Sequence, residues 1–498
     1  MEEYECSSTE YVTPEPEDNF TIGEIYRPLK SVDAFAGVGG FALGLSGFAE
    51  PTAFIEWDPA SQKILRNRQA QGELPPSAEI YGDVRGCTGD TMGLKSTDLI
   101  TGGFPCQDVS RIGKHKGLNS MRSGLCFQLF RLADELAPTF LFLENVPALV
   151  NHLKTILDEL HRRGFDARWT TVTASNFGAP HERARIFILA CRREGGGGSL
   201  TASAAGLARK DKRYVSSARR FSVASGWGLA RKNARAATAR WAAGPVPPWA
   251  RGRSAQEKVL ADWRQPTKRL RVTRNRAPKW KARCEALGNA VVPACVRAAF
   301  LHLVLGDSGR VELPSSTAGS LKEQTDAVKF WMKSSETAMA EAIKTEGIET
   351  AWRSCARIAA DVALAVCDVS EPTSPKMPLA GVMLDGVIGE LRPLALALPT
   401  FLGGSPSLPL GGITLVSNGK RSKSAKQTRP LVQKPIRLQR LATPRHKGWG
   451  VSSVLTERSR YDLITQLAFA SDRRDNASHV NPGYVEYMMG FPLGWTKH

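Results

Sequence analysis

Three features of this chain carry residue types suited to covalent chemistry: a cysteine on a turn, an acid at the end of an apolar strand, and two arginines two positions apart. Phe104-Pro105-Cys106-Gln107 follows the strand-like run from Thr97 to Gly103. The proline-stiffened turn puts the thiol just past a buried strand, where a thiolate can reach a substrate while the scaffold holds it still. A cysteine inside an apolar strand or helix has a raised pKa and is inert. Glu144 closes the apolar run Phe142-Leu143 ahead of Asn145-Val146-Pro147. A carboxyl there is rarely buried without a partner or a task, and a raised pKa lets it keep a proton to donate. Arg183 and Arg185, two apart at a strand start, are expected to project to the same side, where they could anchor Glu144 and bond a base edge or phosphate. Ser110 to Gly117 and Arg122-Ser123-Gly124 form a cationic, glycine-punctuated loop after Cys106. Such a loop could close over a phosphate backbone and lower the thiol pKa.

A second group of residues suits a cofactor. Asp33-Ala34-Phe35-Ala36-Gly37-Val38-Gly39-Gly40-Phe41 reads as a strand running into a glycine-rich turn and a helix. Glycines let the backbone approach a ligand, and free N–H groups at the helix start favour an anionic group. Gly37-x-Gly39-x-x-Ala42 meets a loose dinucleotide fingerprint, with Glu56 about 20 residues on for a ribose hydroxyl. Trp57 beside it could stack on an adenine. Taken alone the turn is compatible with a nicotinamide, a flavin or S-adenosylmethionine. Leu287-Gly288-Asn289-Ala290-Val291-Val292-Pro293 opens a further helix and is equally a plain N-cap.

These residues need a scaffold. Strand-like runs at Ser31–Phe35, Thr52–Ile55, Asp98–Thr101, Phe140–Leu143, Trp169–Ala174 and Arg185–Ala190 alternate with helices near Phe41–Phe48, Pro59–Gln71, Leu125–Leu136 and Val150–Arg163. The alternation implies an α/β fold, a mainly parallel sheet with helices on both faces. Ligands then belong at the carboxyl ends of the strands, where Ala36, Glu56, Gly102 and Glu144 fall.

The net charge of +19 over 498 residues is unevenly spread. Met1 to Tyr26 holds eight acidic residues and no basic one, whereas Thr201 to Arg283 holds 22 Lys plus Arg against three acidic residues. That surplus matches the whole chain's, and is the electrostatic footprint of a phosphate-backbone binder. Nine cysteines without C-x-x-C spacing argue against a disulfide framework or a zinc site. No signal peptide is visible, and no apolar run reaches the roughly 18 residues of a membrane span.

The expected organisation is an acidic, poorly ordered leader over 1–29 and a cofactor-binding core over 30–193. A glycine linker and basic recognition region follow over 194–282. The Gly-Asn element and its helix (283–310) complete the core, followed by a helical extension (311–369), an irregular linker (370–445) and a C-terminal segment (446–498).

In order, Phe-x-Gly-x-Gly-Gly, Glu-Trp-Asp, Pro-Cys-Gln, Glu-Asn-Val, Arg-x-Arg and Gly-Asn-x-Val-x-Pro resemble the motifs of the cytosine-C5 DNA methyltransferase family. The resemblance runs from Lys30 to about Cys191 and resumes near Arg283 to Leu305. It implies a Rossmann-like methyltransferase with a mainly parallel seven-stranded sheet, a small basic recognition region and a partly irregular C-terminal extension. It further implies Cys106 as nucleophile, Glu144 as acid, and Arg183 and Arg185 as catalytic partners. Phe35, Gly37, Gly39, Gly40, Glu56, Trp57, Asp83, Pro105 and Asn289 would line an S-adenosylmethionine pocket. The implied partner is double-stranded DNA, met inside the cell by a monomer that needs no membrane and no metal; the restriction-modification setting is the associated role. A tRNA branch shares the catalytic parts but typically reads Pro-Pro-Cys-Gln with a Cys-Phe-Thr element, both missing here. This chain departs from the family in having His181 where Gln usually precedes Arg-x-Arg. Val480 to Pro492 looks like the family's ninth motif, which usually precedes Gly-Asn and here trails it.

Overall fold

The computed structural model describes residues 28–105, 124–174, 181–193, 279–305 and 479–497, with short stretches at 245–250, 272–273, 369–370, 379–384, 386–391, 413–415 and 436–438 and a few single positions. β1 (Leu29–Ala34), β2 (Ala49–Ile55), β3 (Glu79–Tyr81), β4 (Leu99–Gly103) and β5 (Phe140–Asn145) pair in parallel in the order β3-β2-β1-β4-β5. β6 (Phe165–Thr173) and β7 (Ala184–Arg192) follow, with β7 antiparallel between β5 and β6. Reversing β7 brings its first residues to the edge where the parallel strands end.

Period-two alternation divides the core. Phe140 and Phe142 of β5 enter one apolar cluster, whereas Leu141 and Leu143 enter the other, because successive strand side chains face opposite ways. α1 (Gly40–Gly44) and α2 (Pro59–Ala70) pack on the first face, α3 (Leu125–Leu136) and α4 (Leu153–Arg162) on the second. α4 shows why: Leu153, Ile156, Leu157 and Leu160, at helical spacing, are its buried residues. Asp58 caps α2, accepting from the Ser61 N–H at 3.0 Å ahead of a proline at the first turn.

The Gly-Asn region forms two helices where one was expected. α5 (Trp280–Asn289) ends before Pro293, which opens α6 (Pro293–Leu305). Trp280–Leu301 has the length and mean hydropathy (1.3) of a membrane span, yet 89% of it is buried within the protein. α6 meets α1 at close range: a Cβ on Gly40 would lie 2.7 Å from Val291 Cγ1, and one on Gly44 2.7 Å from the Pro293 carbonyl.

The sheet is larger than the seven strands expected. Among the described residues it has ten, because β9 (Val369–Ser370), β10 (Gly381–Leu384) and β11 (Val387–Leu391) extend it antiparallel beyond β6. Residues 370–445, read from composition as irregular, also contain β12 (Ile413–Leu415) and β13 (Ile436–Leu438), which pair with each other. Hairpins this short lack the length that makes alternation visible. Earlier in the basic segment, β8 (Val272–Thr273) pairs with β14 (His479–Val480), which leads into α7 (Pro482–Met489). The acidic leader, the loop after Pro105, most of the basic segment and the expected helical extension lie outside the described residues.

Two expectations follow. Gly44→Ala should destabilise the chain by about 1–3 kcal/mol in denaturant melts, because the new methyl meets a backbone carbonyl and the body of Val296. Asp33 is buried on β1, accepts from Thr101 Oγ1 at 2.7 Å, and has Oδ2 without a hydrogen-bond partner. Burial pushes its carboxyl up to about 7. A folded pKa above the unfolded one means folding takes up a proton, so this group costs stability as pH rises from about 4 to about 7. Asp33→Asn should flatten that part of the stability–pH curve, by at most about 1.4 kcal/mol per pH unit.

Candidate active site

The carboxyl ends of β1, β2, β4 and β5 lead to Phe35, Glu56, Phe104 and Glu144. β4 ends at Gly103 and delivers Phe104, buried, and Pro105, exposed. Cys106 itself lies outside the described residues. The stub that carries it is tied down: Asn145, 3% exposed at the end of β5, donates from Nδ2 to the Phe104 carbonyl at 3.0 Å. Its Oδ1 accepts from the Val146 N–H at 2.8 Å. The sequence shows Asn145 only as the middle of Glu-Asn-Val, and this tether was not read from it.

Glu144 sits one residue earlier, opposite Gly103 on β4 and Phe187 on β7. Its Oε2 would lie 3.1 Å from a Cβ at Gly103, so glycine there leaves room for the carboxyl. Arg185 Nε pairs with Glu144 Oε1 at 2.8 Å, the two side chains 21% and 12% exposed. Burial raises the Glu144 pKa, and the guanidiniums of Arg185 and Arg183 oppose that rise. The net direction is upward, the direction that favours a carboxyl able to donate a proton.

The two arginines do not act as a matched pair. Arg183 has a left-handed backbone (φ 40°) and precedes β7, so the strand alternation expected for the two is broken. It sends its guanidinium to the Gly-Asn turn, with Nη2 donating to the Gly288 and Ala290 carbonyls at 3.1 and 2.6 Å and Nη1 to the Pro444 carbonyl at 3.1 Å. Burial first, then the neighbouring Arg185, lowers its pKa to about 9. Arg183 therefore positions the turn that exposes Asn289 between the two carbonyls it holds.

The glycine turn is left-handed at Phe35 (φ 56°), Gly37 (φ 54°) and Gly39 (φ 84°). For a bulky side chain such as Phe35 this backbone is strained, and such strain collects at ligand sites. Two N–H groups of the turn ahead of the helix already have partners. Gly37 N–H donates to Glu56 Oε2 at 2.6 Å, and Gly39 N–H donates to the Ala36 carbonyl at 2.8 Å. Asp58 N–H donates to the other Glu56 oxygen at 2.7 Å. Burial raises the Glu56 pKa while these N–H bonds oppose it. A pyrophosphate at this turn would meet a carboxylate instead of free donors.

Beside Glu56, the Trp57 indole is 76% exposed, and a Cβ on Gly37 or Gly82 would meet open space. Asp83 caps the 3-10 turn Val84–Gly86 and pairs with Arg85, which lowers its pKa. An open glycine shelf, a bare indole and an acceptor carboxyl suit a cofactor with an adenine ring, hydroxyl donors and a positive centre. Among the described residues no group of His, Cys, Asp or Glu is arranged to hold a metal ion.

The family described as C-5 cytosine-specific DNA methylase matches residues 29–212. Residues 29–212, the segment that holds the glycine turn, Glu56 and Glu144, are similar to that family. Curated relatives include the Type II methyltransferase M.CviJI of a Paramecium bursaria Chlorella virus, 32% identical over 33% of this chain and 44% of that protein. Another is the Type II methyltransferase M.HpaII of Haemophilus parainfluenzae, 33% identical over 39% of this chain and 54% of that protein. The chain thus spans about half the length of these relatives. Among solved structures, a putative DNA modification methyltransferase encoded within a prophage (E. coli) is 25% identical over 33% of this chain and 47% of that one, with a TM-score of 0.27.

The trailing segment that looks like the methyltransferase ninth motif docks on this site. Glu486, fully buried, pairs with Arg283 of α5 at 3.1 Å and accepts from the Gly494 and Thr496 N–H groups. His181 Nε2 lies 2.9 Å from the Met488 carbonyl, which only accepts, so this nitrogen carries the proton. Burial holds the ring neutral, its pKa lowered to about 3. Trp249 of the basic segment packs edge-on against Tyr487 at 6.5 Å between ring centroids.

Asn145→Ala should slow turnover about tenfold or more by releasing the Phe104 carbonyl, while the Kd for cofactor stays within about twofold. Steady-state rates and calorimetry on the same preparations check this.

Proposed function

We propose that the whole chain is a DNA (cytosine-5-)-methyltransferase that transfers a methyl group from S-adenosylmethionine to C5 of a cytosine in double-stranded DNA. The observation that carries the reading is the convergence at one sheet edge of three groups: the tethered Phe104-Pro105 stub leading to Cys106, the Glu144–Arg185 pair, and the glycine shelf.

Carbon 5 of cytosine is a poor nucleophile, so the ring must be activated first. The Cys106 thiolate adds to C6 while Glu144 delivers a proton to N3, giving an enamine whose C5 is electron-rich. Arg185, held against Glu144, faces the exocyclic oxygen and keeps the carboxyl in place. S-adenosylmethionine, when bound, supplies the electrophilic methyl that C5 takes up. Loss of the C5 proton then expels Cys106 and restores the aromatic ring. Phe35, Gly37, Gly39, Gly40, Glu56, Trp57, Asp83, Pro105 and Asn289 would hold the cofactor. Glu56 favours it over a dinucleotide, whose pyrophosphate would be repelled where Gly37 N–H is already taken.

A stacked base cannot reach the thiol, so the cytosine is flipped out at a cost of a few kcal/mol. Contacts from the basic segment to the phosphate backbone offset that cost. Segment 194–282 is the proposed recognition region.

Incubation with labelled S-adenosylmethionine should label duplex DNA and not tRNA; labelling of tRNA alone would reject the reading. Cys106→Ser should cut transfer to below about a thousandth while DNA affinity is retained. Unchanged transfer would remove Cys106 as the nucleophile.

A further inference from the structure

The C-terminal segment reaches past the recognition side of the site to the cofactor turn. Trp495, 1% exposed, donates from Nε1 to the Val38 carbonyl at 2.7 Å. Its ring lies 3.8 Å from where a Cβ on Gly39 would stand, and Phe491 packs on it at 5.8 Å. The Arg68 guanidinium of α2 lies over the same ring at 5.5 Å. Arg68 Nη2 and Asn67 Nδ2 also reach the Lys497 carbonyl, at 3.4 and 3.3 Å. One short piece of chain therefore grips both walls of the glycine shelf: the Gly37–Gly39 turn, and the helix whose cap follows Glu56 and Trp57.

Val38 lies between two left-handed glycines whose N–H groups are taken by Glu56 and by the Ala36 carbonyl, which leaves the Val38 carbonyl to the indole. The indole N–H fixes its carbonyl, and therefore the plane of the peptide that turns toward the cofactor. We infer that Trp495 is a positioning residue for the S-adenosylmethionine site, and that docking of residues 482–497 and cofactor binding are coupled. This inference rests on the cofactor reading above. It goes beyond that reading by assigning cofactor affinity to a segment at the far end of the chain.

Coupling is reciprocal: if docking favours cofactor, cofactor must favour docking. Two measurements on the full chain test both directions. Trp495→Phe keeps the ring and removes only the N–H, leaving a buried carbonyl unpaired. Its Kd for S-adenosylmethionine, measured by calorimetry without DNA, should rise about tenfold. DNA affinity, and kcat at saturating cofactor, should stay at the wild-type values. In the wild-type chain, amide hydrogen exchange of residues 482–497 should slow several-fold when S-adenosylmethionine is added.

An unchanged Kd in Trp495→Phe overturns the inference. So does equal weakening of cofactor and DNA binding together with a lowered Tm, which would mark a merely structural tryptophan. Exchange unaffected by cofactor in a wild-type chain that binds it overturns the coupling. Wild-type chain that fails to bind S-adenosylmethionine would instead overturn the proposed function, and this inference with it.

Discussion

The 2.8 Å pair between Glu144 and Arg185 is the interaction on which the site depends. Removing either partner from so enclosed a place would leave an uncompensated charge, which is strongly destabilising. Keeping both lets the guanidinium oppose the rise that burial imposes on the carboxyl pKa. The pair exists because β7 runs against β5: a seventh parallel strand would carry its first residues to the opposite edge of the sheet. One reversal in strand direction thus lets the sheet present an acid and a cation beside the Phe104-Pro105 stub.

The glycine shelf follows the same logic at the next strands along. Glu56 spends its oxygens on the N–H groups of Gly37 and Asp58, which holds the turn in its left-handed form and gives the shelf a negative floor. Close approach of α6 to α1, through Gly40 and Gly44, brings the Gly-Asn turn to the same place, and Arg183 locks it there. The order of elements along the chain matters less than these contacts. A helix that trails the Gly-Asn element in sequence still finds its seat, because the buried Arg283–Glu486 pair and the His181–Met488 contact specify where it goes.

The central strands and most helices were legible in sequence because they alternate or repeat at the period of their secondary structure; β5 and α4 are the plainest instances. β3, three residues long with no buried position, carries no such signal. The hairpin β10–β11 lies in a stretch rich in proline and glycine, and β10 is fixed by pairing with β6, a tertiary contact. In the site, residue types pointed to Cys106, Glu144 and Glu56. They did not show that Arg183 also reaches the Gly-Asn turn, because a left-handed residue cancels strand periodicity and nothing local marks it. Asn145 and Trp495 were missed for a common reason: each acts on a backbone carbonyl distant in sequence. Sequence spacing does not reveal which carbonyls a fold leaves unpaired.

The covalent step is open to one direct measurement. Duplex DNA carrying 5-fluorocytosine leaves the ring a fluorine at C5, which cannot depart as a proton does, so the adduct at C6 cannot collapse after methylation. Mass spectrometry of the full chain incubated with this duplex and S-adenosylmethionine should find the oligonucleotide attached to the peptide containing Cys106. Attachment to another residue, or none in a chain that binds both the duplex and the cofactor, would contradict the account.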